Sequence, residues 1–344
     1  MDLNCRENPI LEPACARFVW PAILSLSLIA PLSQAAVPVE AITFSPNGKH
    51  LLFNQHRAIL IRDLEGPSVR KITIGLDKIT DLTFSPGGKH LAVTGGLAGE
   101  SGSLHIVDWT SGDPATHRNE FTDLATAATF HPNGKQIAVA SADRTVKVFG
   151  LNDRKLSREP IVTLTDHSRP VLDVKFGNSG EYLITASADR SLKVWKTADG
   201  SLLRSLGNHT DIVHCVAIRP PQEFAGRTLP LYCASGSDDR TVRIWQPGIG
   251  RMVRIVRYHD SPVHAVVWNP TGDRVFSVAQ DGVLRMIDGD SDEILARIQA
   301  HEDWAYAVAI SPDGKRAATG DWRGEVKVWR LKEQAFELDR AFTR

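Results

Sequence analysis

The chain carries no net charge: 40 lysines and arginines offset 40 aspartates and glutamates, and no basic run gathers one sign. Electrostatics therefore point to neither nucleic acid nor an anionic membrane surface as a partner, and recognition has to come from specific patches. Cysteine is scarce, at four residues, which excludes a disulfide framework. No Cys-x-x-Cys-His haem attachment and no His-x-x-x-His pair occur, so neither a covalent haem nor a metal centre on one element has sequence support. Long apolar runs are also missing. The longest candidate, Phe18 to Leu32, is interrupted by Pro21 and Pro31 and is shorter than the roughly 20 residues a membrane-spanning helix needs.

That run is preceded by Arg17 and followed by Ser33-Gln34-Ala35, the pattern of an export signal cleaved after Ala35. Residues 1–35 are expected to leave, and the mature chain to be periplasmic or secreted. An uncleaved membrane anchor is the alternative, and Asp2, Glu7 and Glu12 ahead of the run raise another, a different start codon. Cys5 and Cys15 would depart with the signal. Cys215 and Cys233 remain, on neighbouring strands of one unit, either bridged or as two small buried apolar side chains.

What the chain does have is repetition. Ser187-Ala188-Asp189-Arg190-Ser191-Leu192-Lys193-Val194-Trp195 returns as Ser141 to Phe149 and as Ser237 to Trp245. In each copy a polar Asp-Arg turn leads into a strand whose apolar positions lie two apart and end on an aromatic. A second ruler is the turn exemplified by Ser45-Pro46-Asn47-Gly48, with the chemistry of a type I turn. Its slots fall at Pro46, Pro86, Pro132, Asn178, Pro220, Pro270 and Pro312, separated by 40, 46, 46, 42, 50 and 42 residues. Each is entered by a bulky apolar residue (Phe44, Phe84, Phe130, Phe176, Ile218, Trp268, Ile310) expected to end the innermost strand of its unit.

This period, the terminal Trp, and the pairs Asp166-His167, Asn208-His209, Tyr258-His259 and Ala300-His301 ahead of the innermost strands resemble the WD40-repeat family. The resemblance is strong in units four and five and weaker in one and two, where Val107 takes the tryptophan slot of unit two. It implies an all-β, seven-bladed propeller of four-stranded antiparallel blades over residues 37–342. Blades are expected at about 37–77, 78–120, 121–165, 166–207, 208–257, 258–299 and 300–342. Stacking in a ring buries sheet faces that one blade cannot bury alone. Ala335 to Phe342 is expected to supply the last strand, with no exchange between the termini.

His209, Ser235 and Asp239 could suggest a hydrolytic triad. The same spacing recurs as His167, Thr185 and Asp189, and no Gly-x-Ser-x-Gly elbow surrounds either hydroxyl. With Trp195 and Trp245 these residues match the family's structural tetrad, in which imidazole links carboxylate to hydroxyl. Blade six has His259, Ser277 and Asp281 with Ile287 in the Trp slot; blade seven has His301, Thr319 and Trp329 with Arg323 in the carboxylate slot. The family resemblance places partner-binding loops on one face, where Trp304, Trp322 and Arg323 fall in blade seven. Gly95, Gly96, Gly99 and Gly102 make an extended loop on that face, joining two strands without opening a phosphate-binding helix. Insertions Arg219–Pro230 and Leu151–Pro160 extend the opposite face, as binding loops or as tolerated length.

The expectation is a non-catalytic scaffold that binds proteins or peptides, without nucleic acid, cofactor, metal or stable membrane insertion. The alternative is a propeller enzyme of hydrolase or lactonase type, or a small-ligand binder, with its site at the central channel. For that the inner strands offer Asp81, Asp173, His214 and His264, a thin set for acid–base or metal chemistry.

Overall fold

The computed structural model describes residues 37–152, 155–224 and 227–342. The expected leader and its cleavage point lie outside these residues. The described chain is strand joined by turns and loops, with helix limited to one short turn at Pro247–Ile249, and forms seven blades of four antiparallel strands.

The first blade runs outward through Ile42–Phe44, His50–Gln55, Ala58–Asp63 and Val69–Thr73. The innermost strands that follow are Lys78–Phe84, Ala125–Phe130, Val171–Phe176, Val213–Ile218, Val263–Trp268 and Ala305–Ile310. Each is closed by the turn the sequence marks. In the first, Gly48 N–H donates to Ser45 O at 2.8 Å with Gly48 at φ +69°, a left-handed conformation that costs glycine nothing. Blade five departs from the pattern, because a small hairpin, Glu223–Phe224 with Arg227–Thr228, is inserted after Pro220.

Seven buried apolar clusters lie one between each pair of adjacent blades, the seventh joining blade seven to blade one. An open stack of seven would have six, so the ring is closed. The closing cluster sets Ala309, Ala318, Val326 and Val328 against Val39, Phe44, Leu51 and Phe53. Phe336–Phe342 is the outer strand of blade seven, paired to Val326–Leu331, so no strand is exchanged between the termini. The incoming chain is held by Val39 N–H on Asp321 O at 2.9 Å. It is held again by buried Asn54, whose Oδ1 accepts from the N–H groups of Glu40 and Ala41, both at 3.0 Å. Cys215 and Cys233 are free and buried, and burial first of all pushes both thiols up to about 12, so they behave as inert core residues. No helix among the described residues is long and apolar enough to cross a membrane.

Candidate functional site

The His-Ser/Thr-Asp groups come together as the tetrads that the resemblance implied. In blade four His167 Nδ1 donates to Asp189 Oδ2 at 2.8 Å, its Nε2 accepts from Thr185 Oγ1 at 2.6 Å, and Trp195 Nε1 donates to the same hydroxyl at 3.0 Å. Blade five repeats this with His209, Asp239, Ser235 and Trp245 at 2.7, 2.7 and 2.8 Å. Burial works to raise both carboxyls, but the hydrogen bonds they accept outweigh it and hold them below the usual range. Each hydroxyl is enclosed between imidazole and indole with almost no exposure. A nucleophile needs an approachable oxygen, so these networks lock loops to sheets and do not attack substrates.

Blade seven corrects the expectation that its carboxylate is missing. His301 Nδ1 lies 3.2 Å from Glu325 Oε2 and 3.4 Å from Asp321 Oδ2, its Nε2 bonds Thr319 Oγ1 at 2.8 Å, and Trp329 Nε1 reaches that hydroxyl at 3.1 Å. Arg323 occupies the aligned slot, but its neighbours on the turn reach the ring instead. The three ligand atoms of His301, Asp321 and Glu325 lie within 4.8 Å of one another, close enough for a cation. Lys327 Nζ already stands 3.0 Å from Glu325 Oε2 and donates to Ala300 O at 2.8 Å, placing a fixed positive charge there. In blade six the carboxylate is present but does not reach the ring: Asp281 is held by Arg285 at 3.2 and 2.6 Å, and His259 keeps only Ser277, at 2.8 Å.

Trp304 and Trp322, 42% and 47% exposed, meet on the expected face. Their rings are 6.0 Å apart, and both contact Tyr306, at 6.3 and 5.9 Å. Tyr306 stacks on His264 at 4.6 Å with nearly parallel planes, and His264 meets His214 edge-on at 5.6 Å. Five rings thus run from the rim of blade seven to the channel mouth. Trp322 N–H donates to Trp304 O at 2.9 Å, fixing the two loops together. Arg323 is a brace here, bonded to Asp303 at 3.0 Å and to Glu302 at 3.4 Å. Tyr306 is the residue that sequence reasoning missed, since an aromatic at an inner-strand position reads as core.

A cavity of about 560 Å³ opens beside this cluster, lined by Glu40, Lys78, His214, Asp238, His264 and Tyr306 among others. It leads into a channel space of about 520 Å³ that reaches Asp81, Asp173 and Lys175. Those two aspartates are clasps between blades. Asp81 Oδ2 accepts Ala128 N–H at 3.0 Å, and Asp173 Oδ2 accepts Val216 N–H at 2.9 Å. His214 is spent on Asp238 at 2.6 Å, and His264 Nδ1 donates to Ala305 O at 2.9 Å.

The insertions on the opposite face also tie blades together. Buried Arg219 donates to Gly272 O at 2.6 Å, forks onto Asp290 at 2.9 and 3.1 Å, and lies over Trp268, linking blade five to six. Arg118 of blade two donates to Leu156 O at 3.0 Å and to Ser157 O at 3.2 Å in the blade-three insertion.

Compared with known families, the chain matches the model described as WD domain, G-beta repeat, over residues 115–150, 158–196, 200–246, 250–288 and 292–330. Comparison with curated proteins finds no match.

Proposed function

The chain belongs to the WD40-repeat family of β-propellers, and from that premise we propose that it is a non-catalytic scaffold binding a protein or peptide through the face that carries Trp304 and Trp322. The observation that carries this reading is the run of rings from Trp322 through Trp304 and Tyr306 to His264, in which two adjoining tryptophans are about half exposed, whereas Tyr258, the other aromatic exposed to that degree among the described residues, stands outside the run. Exposed Trp is enriched among interface hot spots, where truncation costs about 2 kcal/mol or more. The channel aspartates have structural uses, Asp81 and Asp173 each accepting a backbone N–H of the next blade and Asp173 also pairing with Lys175 at 2.7 Å, which agrees with binding as the function. Export to the periplasm or cell exterior is part of the proposal and rests on the pattern of residues 18–35 alone.

The test is capture from a native extract by the mature chain, beside a Trp304→Ala, Trp322→Ala variant whose melting temperature is measured in parallel. A partner captured by the native chain and lost by the folded variant supports the reading. Equal capture by both, or by neither, overturns it.

A further inference from the structure

Four non-glycine residues among the described ones hold a positive φ: His56 at +52°, in the turn between the second and third strands of blade one, and three arginines at one equivalent turn of three consecutive blades, Arg144 at +74°, Arg190 at +71° and Arg240 at +63°. Blades six and seven place Gly282 and Gly324 at that position, at +71° and +82°. The backbone is the same in each, closed by the N–H of the fourth residue on the carbonyl of Ser141, Ser187, Ser237, Ala279 or Asp321 at 3.0 to 3.3 Å. Glycine relieves the strain of that conformation, so a side chain in blades three to five has to be accounted for by what it does.

These three side chains are exposed, and among the described residues none of their guanidinium groups has a hydrogen-bond or ion-pair partner. The acids around them are already engaged. Asp143 accepts from Thr145 N–H at 2.9 Å and Oγ1 at 2.6 Å, Asp189 from Ser191 at 3.1 and 2.6 Å, and Asp239 from Thr241 at 3.1 and 2.6 Å. Asp166 pairs with Lys193, and Asp238 with His214. Turn geometry therefore plants three unneutralised forks at equivalent points along an arc, on the face that also carries the aromatic run.

Resting on the reading of this face as a protein-binding surface, we propose that Arg144, Arg190 and Arg240 receive an acidic, extended segment of the partner, one carboxylate-bearing stretch per blade. Guanidinium pairs with carboxylate through two parallel hydrogen bonds, which makes arginine the suitable residue for the task. An acidic peptide fits better than nucleic acid. Exposed Asp211 and Asp260 stand in the neighbouring loops without an ion-pair partner among the described residues, where they would repel a continuous phosphate backbone but leave gaps that a peptide with spaced carboxylates can avoid.

The experiment is fluorescence anisotropy with a labelled short oligoglutamate peptide, beside a glycine-serine peptide and an oligothymidylate of equal length, at low and physiological salt. The native chain should bind oligoglutamate alone, more weakly as salt rises. The R144G/R190G/R240G variant should lose about tenfold in affinity without a drop in melting temperature, since glycine suits the turn. The corresponding triple lysine variant, which keeps the charge, should lose less. No oligoglutamate binding, equal binding of oligothymidylate, or an unchanged glycine variant would each overturn the arc. If the arc fails while the tryptophan variant still abolishes partner capture, the protein-binding face stands and only its chemistry is wrong.

Discussion

A neutral imidazole offers one donor and one acceptor, and His259 is buried with only one of them used. Its Nε2 bonds Ser277, while Nδ1 has no hydrogen-bond partner among the described residues. Burial, and then the nearby Arg285 guanidinium, push this ring down to about 3. Because the folded value lies below the ordinary value of about 6.5, the unfolded chain takes up the proton first. Stability from this group is therefore whole above pH ~6.5 and falls by up to about 1.4 kcal/mol per pH unit as pH drops towards 3. Replacing Arg285 should free Asp281 to accept from Nδ1 and raise the ring's titration midpoint by one unit or more on the ordinary scale of about 1–3 for a carboxylate partner. Proton NMR of His259 in Arg285→Met measures this, and an unmoved midpoint would show that Asp281 cannot turn to the ring. The complete tetrad of blade five makes the opposite case. Asp239→Ala leaves His209 Nδ1 unpaired in the core, which should cost about 1–3 kcal/mol and lower the melting temperature. The native carboxyl titrates below its usual range, so its contribution is present above pH ~4 and is lost as pH falls through the depressed value.

At the scale of strands and turns, most of the architecture is legible because two local rules coincide. Apolar residues alternate along each strand, and Pro-Gly or Asp-Arg turns delimit it, so strand order follows from chain order. What escapes this reading depends on which way a side chain leaves a turn. Alignment puts Arg323 where other blades have Asp, yet Asp321 and Glu325 on either side of it are the ones that face His301, and no spacing rule reports that. Gly320 is similar, a glycine inside a strand whose meaning lies in another part of the chain. A Cβ built there would sit 2.4 Å from Val39 Cγ1, and a strand glycine of this kind is a known mark of close backbone approach. Gly320→Ala should displace Val39, weaken its bond to Asp321 and cost about 1–3 kcal/mol. Faster amide exchange at Val39 would register it. Adding Val39→Gly, which removes both the Cγ1 and the Cβ that stands 2.6 Å from the new methyl, should recover part of the loss, whereas strictly additive melting shifts would mean that the two residues do not meet.

Over the whole molecule, closure changes how damage spreads. In an open repeat array stability is approximately a sum over units and nearest-neighbour interfaces, so a lesion at one end is felt mainly there. Here blade one packs on blade two through Ile79 and Leu82, and on blade seven through Ala318 and Val328. Opening the seventh interface would release Val39 and bare two sheet faces together. Leu51 is fully buried in that closing cluster, and Leu51→Ala should cost about 2–5 kcal/mol. Amide exchange measured by mass spectrometry distinguishes the two regimes. A ring that unfolds as one unit should exchange faster in Val171–Phe176 of blade four, far around the circle, by nearly the factor seen in Ile42–Phe44 and Ala305–Ile310. Acceleration confined to blades one and seven would show that the blades open singly, with closure adding contacts but no cooperativity. A cooperative ring also keeps loops on different blades at fixed separations, which recognition spread from Arg144 to Trp322 would require.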